Sequence, residues 1–477
     1  MDVRRTACLV LITLALASAG CITIGAPPQQ AATTAPAATT TPAATGQADA
    51  AVTIGATTGG TIRPLLGVNT GPLPAGTDPG NADLTTQYKQ YGVNLVRTHD
   101  YYGPLDMSVM YPDRTRDPAA ASSYDFSSSD SAWKSITEGG FEPYFRLGDS
   151  WNDAKPPANA LERSNWVRAG IEVLRHYRTG KWGGFTTGFR YVEVWNEPDF
   201  QQFWPKPRTP LDYFQLYTEA AIAIRQQFPG LRIGGPGVTQ MPTVTPQGKK
   251  WLQDFLSFVQ QKNAPLDFLS WHMYSNVPAT YVEASRLYRS MLDDHGFRQA
   301  RLHVTEWNTD IKHGSDSAPE SVALRTGGKG AAIVTATWIA LQDNDIEVST
   351  FYRGNDTRIN LKTFYGLFYA GGRPKLTGLA FSLWSRMVAY PHRLAVTASP
   401  DMGLWTLAGL NDSGKTALLI ANPTDRPVNI AVSLPGSQQP SITYYRVSDA
   451  SGELQTGKLA GTACEIGANS VVMLVTD

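Results

Sequence analysis

Two glutamates close apolar runs that read as buried strands. Glu197 lies in Tyr191-Val-Glu-Val-Trp-Asn-Glu-Pro198, and Glu306 in Arg301-Leu-His-Val-Thr-Glu-Trp-Asn308. Both runs are rich in β-branched and aromatic residues and turn polar where a strand would leave a core. A carboxylate at the C-terminal end of a barrel strand stands where loops build active sites. Two such groups on separate strands are what cleavage of a glycosidic bond needs. One protonates the departing oxygen, and the other attacks or stabilises the carbon left behind. A lone glutamate in such a place more often caps a strand or pairs with an arginine; the two contexts together argue for chemistry.

The strands and helices that hold these glutamates can be read from the same alternation. Eight candidate strands follow in order at 64–70, 93–100, 142–148, 190–197, 231–238, 266–274, 301–308 and 347–355. Helical patterns at 161–177, 210–227 and 250–261 follow the third, fourth and fifth, and one at 321–342 precedes the eighth. This rhythm predicts an α/β fold, a (β/α)8 barrel over residues 62–391. From 392 to 477 the helical period gives way to short alternating runs at 416–421, 428–434, 442–447 and 471–475, separated by turns such as Asn411-Asp-Ser-Gly414. They predict a C-terminal antiparallel β-sandwich, to which residues 51–61 add an N-terminal strand.

The N-terminus reads as an export signal. Arg4 and Arg5 precede a short apolar run from Cys8 to Ala17, too short to span a bilayer. Ser18-Ala19-Gly20-Cys21 resembles a bacterial lipobox, with Ser18 where an aliphatic residue is usual. Residues 1–21 are expected to be a lipoprotein-type signal ending at Cys21, the lipidated residue; the alternative is an ordinary secretory signal. Residues 22–50, mostly Ala, Thr, Pro and Gln, cannot bury enough surface to order themselves and read as a disordered linker. The expected location is a membrane anchor on the cell surface or in the periplasm, otherwise secretion. Only Cys464 remains, so no disulfide is expected, and its apolar setting suits a buried inert thiol.

Lys and Arg total 41, and Asp and Glu total 41. No strong field is available for nucleic acid or a charged membrane surface, which makes both poor partners, and a neutral substrate such as a sugar fits better. The histidines show no ligand spacing with close carboxylates, so neither a metal nor a cofactor is expected.

At these motifs the chain resembles the clan A glycoside hydrolases, and among them family 39. Trp195-Asn196-Glu197-Pro198 resembles the acid/base motif ending strand four, and Thr305-Glu306-Trp307-Asn308 the nucleophile motif ending strand seven. Val96-Arg97-Thr98-His99-Asp100, Gly234-Gly235-Pro236 and Leu269-Ser-Trp-His272-Met-Tyr274 resemble segments on strands two, five and six. Gly366-Leu367-Phe368 with Arg373-Pro374-Lys375 resembles the entry to the last helix. The resemblance implies retention of configuration, with Glu306 as nucleophile and Glu197 as general acid, then base. Their carboxyl groups should lie about 5–5.5 Å apart. Glu306 should be held ionised by donors, and Glu197 protonated by burial and by the nearby charge.

Neighbouring residues suit binding. Asn196 can donate to the hydroxyl beside the anomeric carbon, Tyr274 can hydrogen-bond Glu306, and Arg97 can pair with a carboxylate near the mouth. His99 and His272 are candidate partners for sugar hydroxyls, as is Asn308 at its strand end. Trp307, Trp151 and Trp204 are candidate platforms for a sugar ring. Glu193 and His303 precede the motifs, and alternation points them elsewhere, so they stay outside the site. The expected function is a retaining glycosidase acting on oligo- or polysaccharides, with β-xylosidase, the family's best-represented activity, as the default. The alternatives are a non-catalytic carbohydrate-binding lipoprotein and a transglycosylase using the same two glutamates. Sugar, linkage, exo or endo action and oligomeric state are not legible.

Overall fold

The computed structural model describes residues 48–73, 82–151, 154–310, 319–356, 364–399, 402–434 and 441–477. The expected signal, Cys21 and the linker up to residue 47 lie outside the described residues. The first strand, β1 (Ala50–Thr61), leads into a closed parallel barrel of eight. The barrel strands are β2 (Gly67–Asn69), β3 (Leu95–Arg97), β4 (Glu142–Leu147), β5 (Tyr191–Val194), β6 (Arg232–Val238), β7 (Phe268–Tyr274), β8 (Arg301–Asn308) and β9 (Ile346–Phe351).

Local chemistry starts the crossover helices. Pro210, Pro246 and Pro278 stand in the first turns of Pro210–Gln227, Pro246–Gln261 and Pro278–Asp294, where a missing N–H costs nothing. Thr209 and Asp212 form a capping box on the first of these. The pattern read as one helix over 321–342 is two, Pro319–Thr326 and Gly328–Asp343. The chain breaks at Gly327, and Asp449 of the second domain accepts from the Gly328 N–H at 2.8 Å. A carboxylate there also meets the positive end of the second helix.

Side chains alternate between barrel interior and helix layer. Leu95, Tyr144, Tyr191, Phe268 and Val348 fill the bottom of the barrel. Val96, Val192, Val194 and Val304 face the other way, into the core shared with the helices. The layer above the apolar plug is polar and buried, with Asn69, Arg97, Glu193 and Thr305.

The C-terminal sheet holds β1 with β10 (His392–Ala398), β11 (Trp405–Leu410), β12 (Thr416–Asn422), β13 (Val428–Ser433), β14 (Ile442–Val447), β15 (Gln455–Leu459), β16 (Ala463–Ile466) and β17 (Ser470–Thr476). Its order is β15-β14-β17-β12-β11-β10-β1-β13-β16, antiparallel except for the β1–β13 pair. Val52, Ile54, Leu394, Ile420, Ile430 and Val472 share its core. Leu407, Leu419 and Met473 face the other way and join the barrel's core. The fold is therefore a (β/α)8 barrel with a β-sandwich, and one parallel pairing enters the expected antiparallel sheet. Cys464 is free and buried, and burial pushes its thiol up. Among the described residues no helix is long and apolar enough to cross a membrane.

Candidate active site

The polar layer is organised by Arg97, which is fully buried at the end of β3. Its Nε donates to Glu193 Oε2 at 2.7 Å, and Nη1 donates to Asn69 Oδ1 at 2.9 Å and to Glu306 Oε1 at 2.8 Å. Nη2 donates to Asn196 Oδ1 at 2.6 Å. One guanidinium thus fixes groups from β2, β5, β8 and the loop after β5, a task its planar fork suits. It is turned toward these residues and is not a free contact for a ligand.

Glu306 is surrounded by donors. Besides Arg97, His99 Nε2 lies 3.1 Å from Oε1, and the Tyr274 hydroxyl donates to Oε2 at 3.0 Å. Burial pushes Tyr274 well above its ordinary value, with the charge of Glu306 acting the same way, so the phenol keeps its proton. Burial likewise holds His99 well below the usual imidazole range, against the opposing pull of Asp100. The ring is neutral, and its Nδ1 has no partner among the described residues.

Glu197 has the opposite setting. Burial first, then the charges of Glu306 and Asp199, push its carboxyl well above the ordinary value, against the pull of Arg97. His272 Nδ1 lies 2.8 Å from Glu197 Oε1, and His272 Nε2 lies 3.2 Å from Thr305 Oγ1. Burial holds His272 down at about 3, so it too is neutral. The two glutamate side chains keep 13% and 7% of their surface open, and an atom of each lies within 4.8 Å of the other and of His272. These three residues could surround a small cation, an arrangement that the histidine spacing had not suggested.

The backbone supports this convergence. After β5 the chain leaves extended geometry, with Trp195 at φ 78° and Glu197 at φ 44°. Such left-handed positions are rare outside glycine and concentrate at functional sites. Trp195 turns outward against Trp166 and Trp204, and the Glu197 N–H donates to the Gly237 carbonyl at 2.9 Å. In β8 the pairing register with β9 shifts between Val304 and Trp307. A shift of this kind re-aims side chains. Thr305 and Glu306 both meet interior partners, and Trp307 faces the helices.

The remaining expected residues divide. Asn196 gives its carbonyl oxygen to Arg97, while its buried Nδ2 has no partner among the described residues and is free to donate to a ligand. Trp151 is 40% exposed and packs tilted against Phe200 and edge-on against Phe203; Phe203 in turn lies 5.9 Å from the His99 ring. These rings form an aromatic wall leading from the carboxylates to solvent.

Trp307 is not a platform. It is fully buried, donates from Nε1 to Ser349 Oγ at 2.7 Å, and packs edge-on against Trp338 and Phe351. Trp204 is buried and donates to the Thr209 carbonyl at 2.9 Å. Asn308 is also turned away from a ligand: its amide nitrogen donates to the carbonyls of Tyr352 and Tyr365, and its oxygen accepts from Thr309 N at 2.7 Å. It ties the loop after β9 to the barrel.

Glu193, set aside on grounds of alternation, stands inside the site and pairs with Arg97. It has the same parity as Tyr191, which fills the barrel bottom, and that parity was the available signal. His303 also points inward, but lower, between Tyr144 and Glu347 at 3.0 and 3.1 Å. Thr305 stands in the motif that holds Glu306, which gives no sign of its own contacts, and Asn69, Phe200 and Phe203 carry no distinguishing signal in the sequence.

The chain is similar to known glycoside hydrolases over part of its length. The family model described as glycosyl hydrolases family 39 matches residues 66–298. A curated β-xylosidase of Geobacillus stearothermophilus is 30% identical over 135 residues, covering 24% of this chain and 25% of the relative. A second β-xylosidase, of Caldicellulosiruptor saccharolyticus, is 26% identical over 246 residues, or 46% of each chain. The chain therefore spans less than half the length of the curated relatives it matches. A crystal structure of a glucosidase from Croceicoccus marinus superposes with a TM-score of 0.74 at 24% identity, covering 90% of this chain and 99% of that one; the shared property is the fold. The fold is a (β/α)8 barrel, and over residues 66–298 the chain is similar to glycosyl hydrolases family 39.

Proposed function

We propose that this protein is a retaining glycosidase that cleaves O-glycosidic bonds of oligo- or polysaccharides by double displacement. The observation that carries the reading is the pair Glu197 and Glu306. Their nearest atoms lie within 4.8 Å, in environments that treat them oppositely. A separation near 5 Å leaves no room for a water between carboxylate and sugar, as inversion requires, and suits direct attack.

In the first step a Glu306 oxygen bonds to the anomeric carbon as the bond to the leaving oxygen breaks, and Glu197 gives that oxygen its proton. Asn196 Nδ2 is placed to donate to the neighbouring hydroxyl. Once Glu306 is an ester its negative charge is gone, and with it one cause of the raised Glu197 value. Glu197 then exists more readily as a carboxylate and takes a proton from water. That water attacks the anomeric carbon and releases Glu306.

A β-xylosidase-like substrate is favoured by the two curated relatives, and the aromatic wall at Trp151 suits a sugar ring. The N-terminal pattern supports export with a lipid anchor at Cys21. The test is a screen of aryl β-D-xylosides, α-L-arabinosides and β-D-glucosides with the wild type, Glu306→Ala and Glu197→Gln. Turnover by the wild type and its loss in Glu306→Ala is expected. Equal, negligible rates in all three with sugar binding retained would overturn the reading.

A further inference from the structure

The hydrogen bonds behind Glu197 form a directed chain. Thr305 Oγ1 lies 2.8 Å from Glu193 Oε1, and a threonine hydroxyl has one proton to give. Glu193 is bound to the Arg97 guanidinium through its other oxygen, so it acts as an acceptor, and the Thr305 proton points to it. The Thr305 oxygen then has only lone pairs to offer His272 Nε2 at 3.2 Å. Nε2 must carry the hydrogen. In a neutral ring this leaves Nδ1 bare, facing Glu197 Oε1 at 2.8 Å. Two acceptors do not share a contact of that length, so the hydrogen between them belongs to Glu197.

We propose that Glu193 and Thr305 are positioning residues that act through the tautomer of His272 to keep Glu197 in its acid form. The inference rests on the reading of Glu197 as general acid. It adds two residues that touch no substrate, on β5 and β8, and a reason for the imidazole on β7 between them. Gly237 borders the relay in a left-handed conformation at φ 62°, where a Cβ would be in ordinary contact, 3.4 Å from both Glu193 Oε1 and His272 Nε2.

Other charges act on these groups. Glu197 faces Glu306 from β8, Asp199 from its own loop, and Arg97 and Asp100 from β3 and the loop after it. His272 faces Glu306, Arg97 and His99. None of them donates to or accepts from Nε2, which only Thr305 contacts among the described residues. Removing that hydroxyl should therefore act on the tautomer, with the surrounding charges unchanged.

In Thr305→Val the Nε2 hydrogen loses its acceptor. The ring should shift its proton to Nδ1 and donate to the Glu197 carboxylate, favouring ionisation. The alkaline limb of kcat/KM for an aryl glycoside with a poor leaving group should move down by about one pH unit, the scale of one hydrogen bond to a charged group. Thr305→Ser should restore it. Loss of rate with an unmoved limb would overturn the proposal.

A second measurement needs neither activity nor a variant at Thr305. Nitrogen-15 NMR of the histidine-labelled wild type, with seven histidines to resolve and His272 assigned by its loss in His272→Asn, should show Nε2 protonated and Nδ1 bare. Protonation at Nδ1 would overturn the proposal. A wild type that hydrolyses no glycoside would defeat the functional reading, while this spectrum still decides the relay.

Discussion

Arg97 Nη1 lies 2.8 Å from Glu306 Oε1, with the guanidinium fully buried and the carboxylate nearly so. The same side chain neutralises Glu193 at 2.7 Å, so its removal leaves two buried carboxylates without a cation. Arg97→Met should cost about 3–5 kcal/mol of stability, as breaking a buried pair does, and lower kcat/KM by about a hundredfold or more. Urea unfolding and steady-state kinetics check the two halves. A stable variant with ordinary kinetics contradicts this role.

Glu197 gives a stability prediction independent of turnover. Its carboxyl is held well above the ordinary value of 4.5, first by burial and then by Glu306. A carboxyl with a raised folded value contributes most below its unfolded value, and the contribution is lost as pH rises toward the folded one. Gln does not titrate. Glu197→Gln and wild type should therefore differ least below about pH 4, and the variant should gain by up to about 1.4 kcal/mol per pH unit above it. Urea unfolding between pH 4 and 8 reads the slope, and a difference constant with pH contradicts the assignment.

Of the three tryptophans expected at the mouth, Trp151 and Trp307 should behave differently. Trp151→Ala removes a half-open ring beside Phe200 and Phe203. KM should rise about fivefold to tenfold with kcat little changed, the worth of one stacking contact made alike in ground and transition states. Trp307→Ala empties a filled core site and should cost about 3–5 kcal/mol, seen as a lowered Tm. Equal effects of the two would contradict the placement.

A chelator tests the metal alternative. Glu197, His272 and Glu306 are close enough to ligate a cation, but the Arg97 guanidinium already stands against Glu306 and would repel one. Dialysis against EDTA should leave activity unchanged. Loss that an added divalent cation restores would show that the trio is a metal site.

The barrel was legible because buried parallel strands are short apolar runs, and each of β2 to β9 falls on or within a residue of one. The residues ending those runs were legible for the same reason, since a polar group after such a run must have a use. Local deviations were not. Glu193 was set aside by alternation, although it shares the parity of Tyr191 and points inward. The chain leaves the strand at Trp195, so the later motif gives no guide to where Glu193 points. Thr305 and Glu306 both meet interior partners through a register shift in β8, which no local pattern marks and which sends Trp307 to the helices. Trp151 and Trp204 are alike in sequence context, and packing against Trp195 and Tyr213 buries the second.

In the proposed mechanism Glu306 forms a bond to the sugar while Glu197 manages the proton. The most direct measurement is intact-protein mass spectrometry after incubation with a 2-deoxy-2-fluoro aryl glycoside of the sugar that the screen identifies, followed by peptide mapping. A fluorine beside the anomeric carbon destabilises both positively charged transition states, and an activated leaving group lets only the first proceed. One added glycosyl group is expected on the peptide holding Glu306, absent in Glu306→Ala. An adduct on another residue, or turnover of the parent glycoside to a product of inverted configuration, would contradict it.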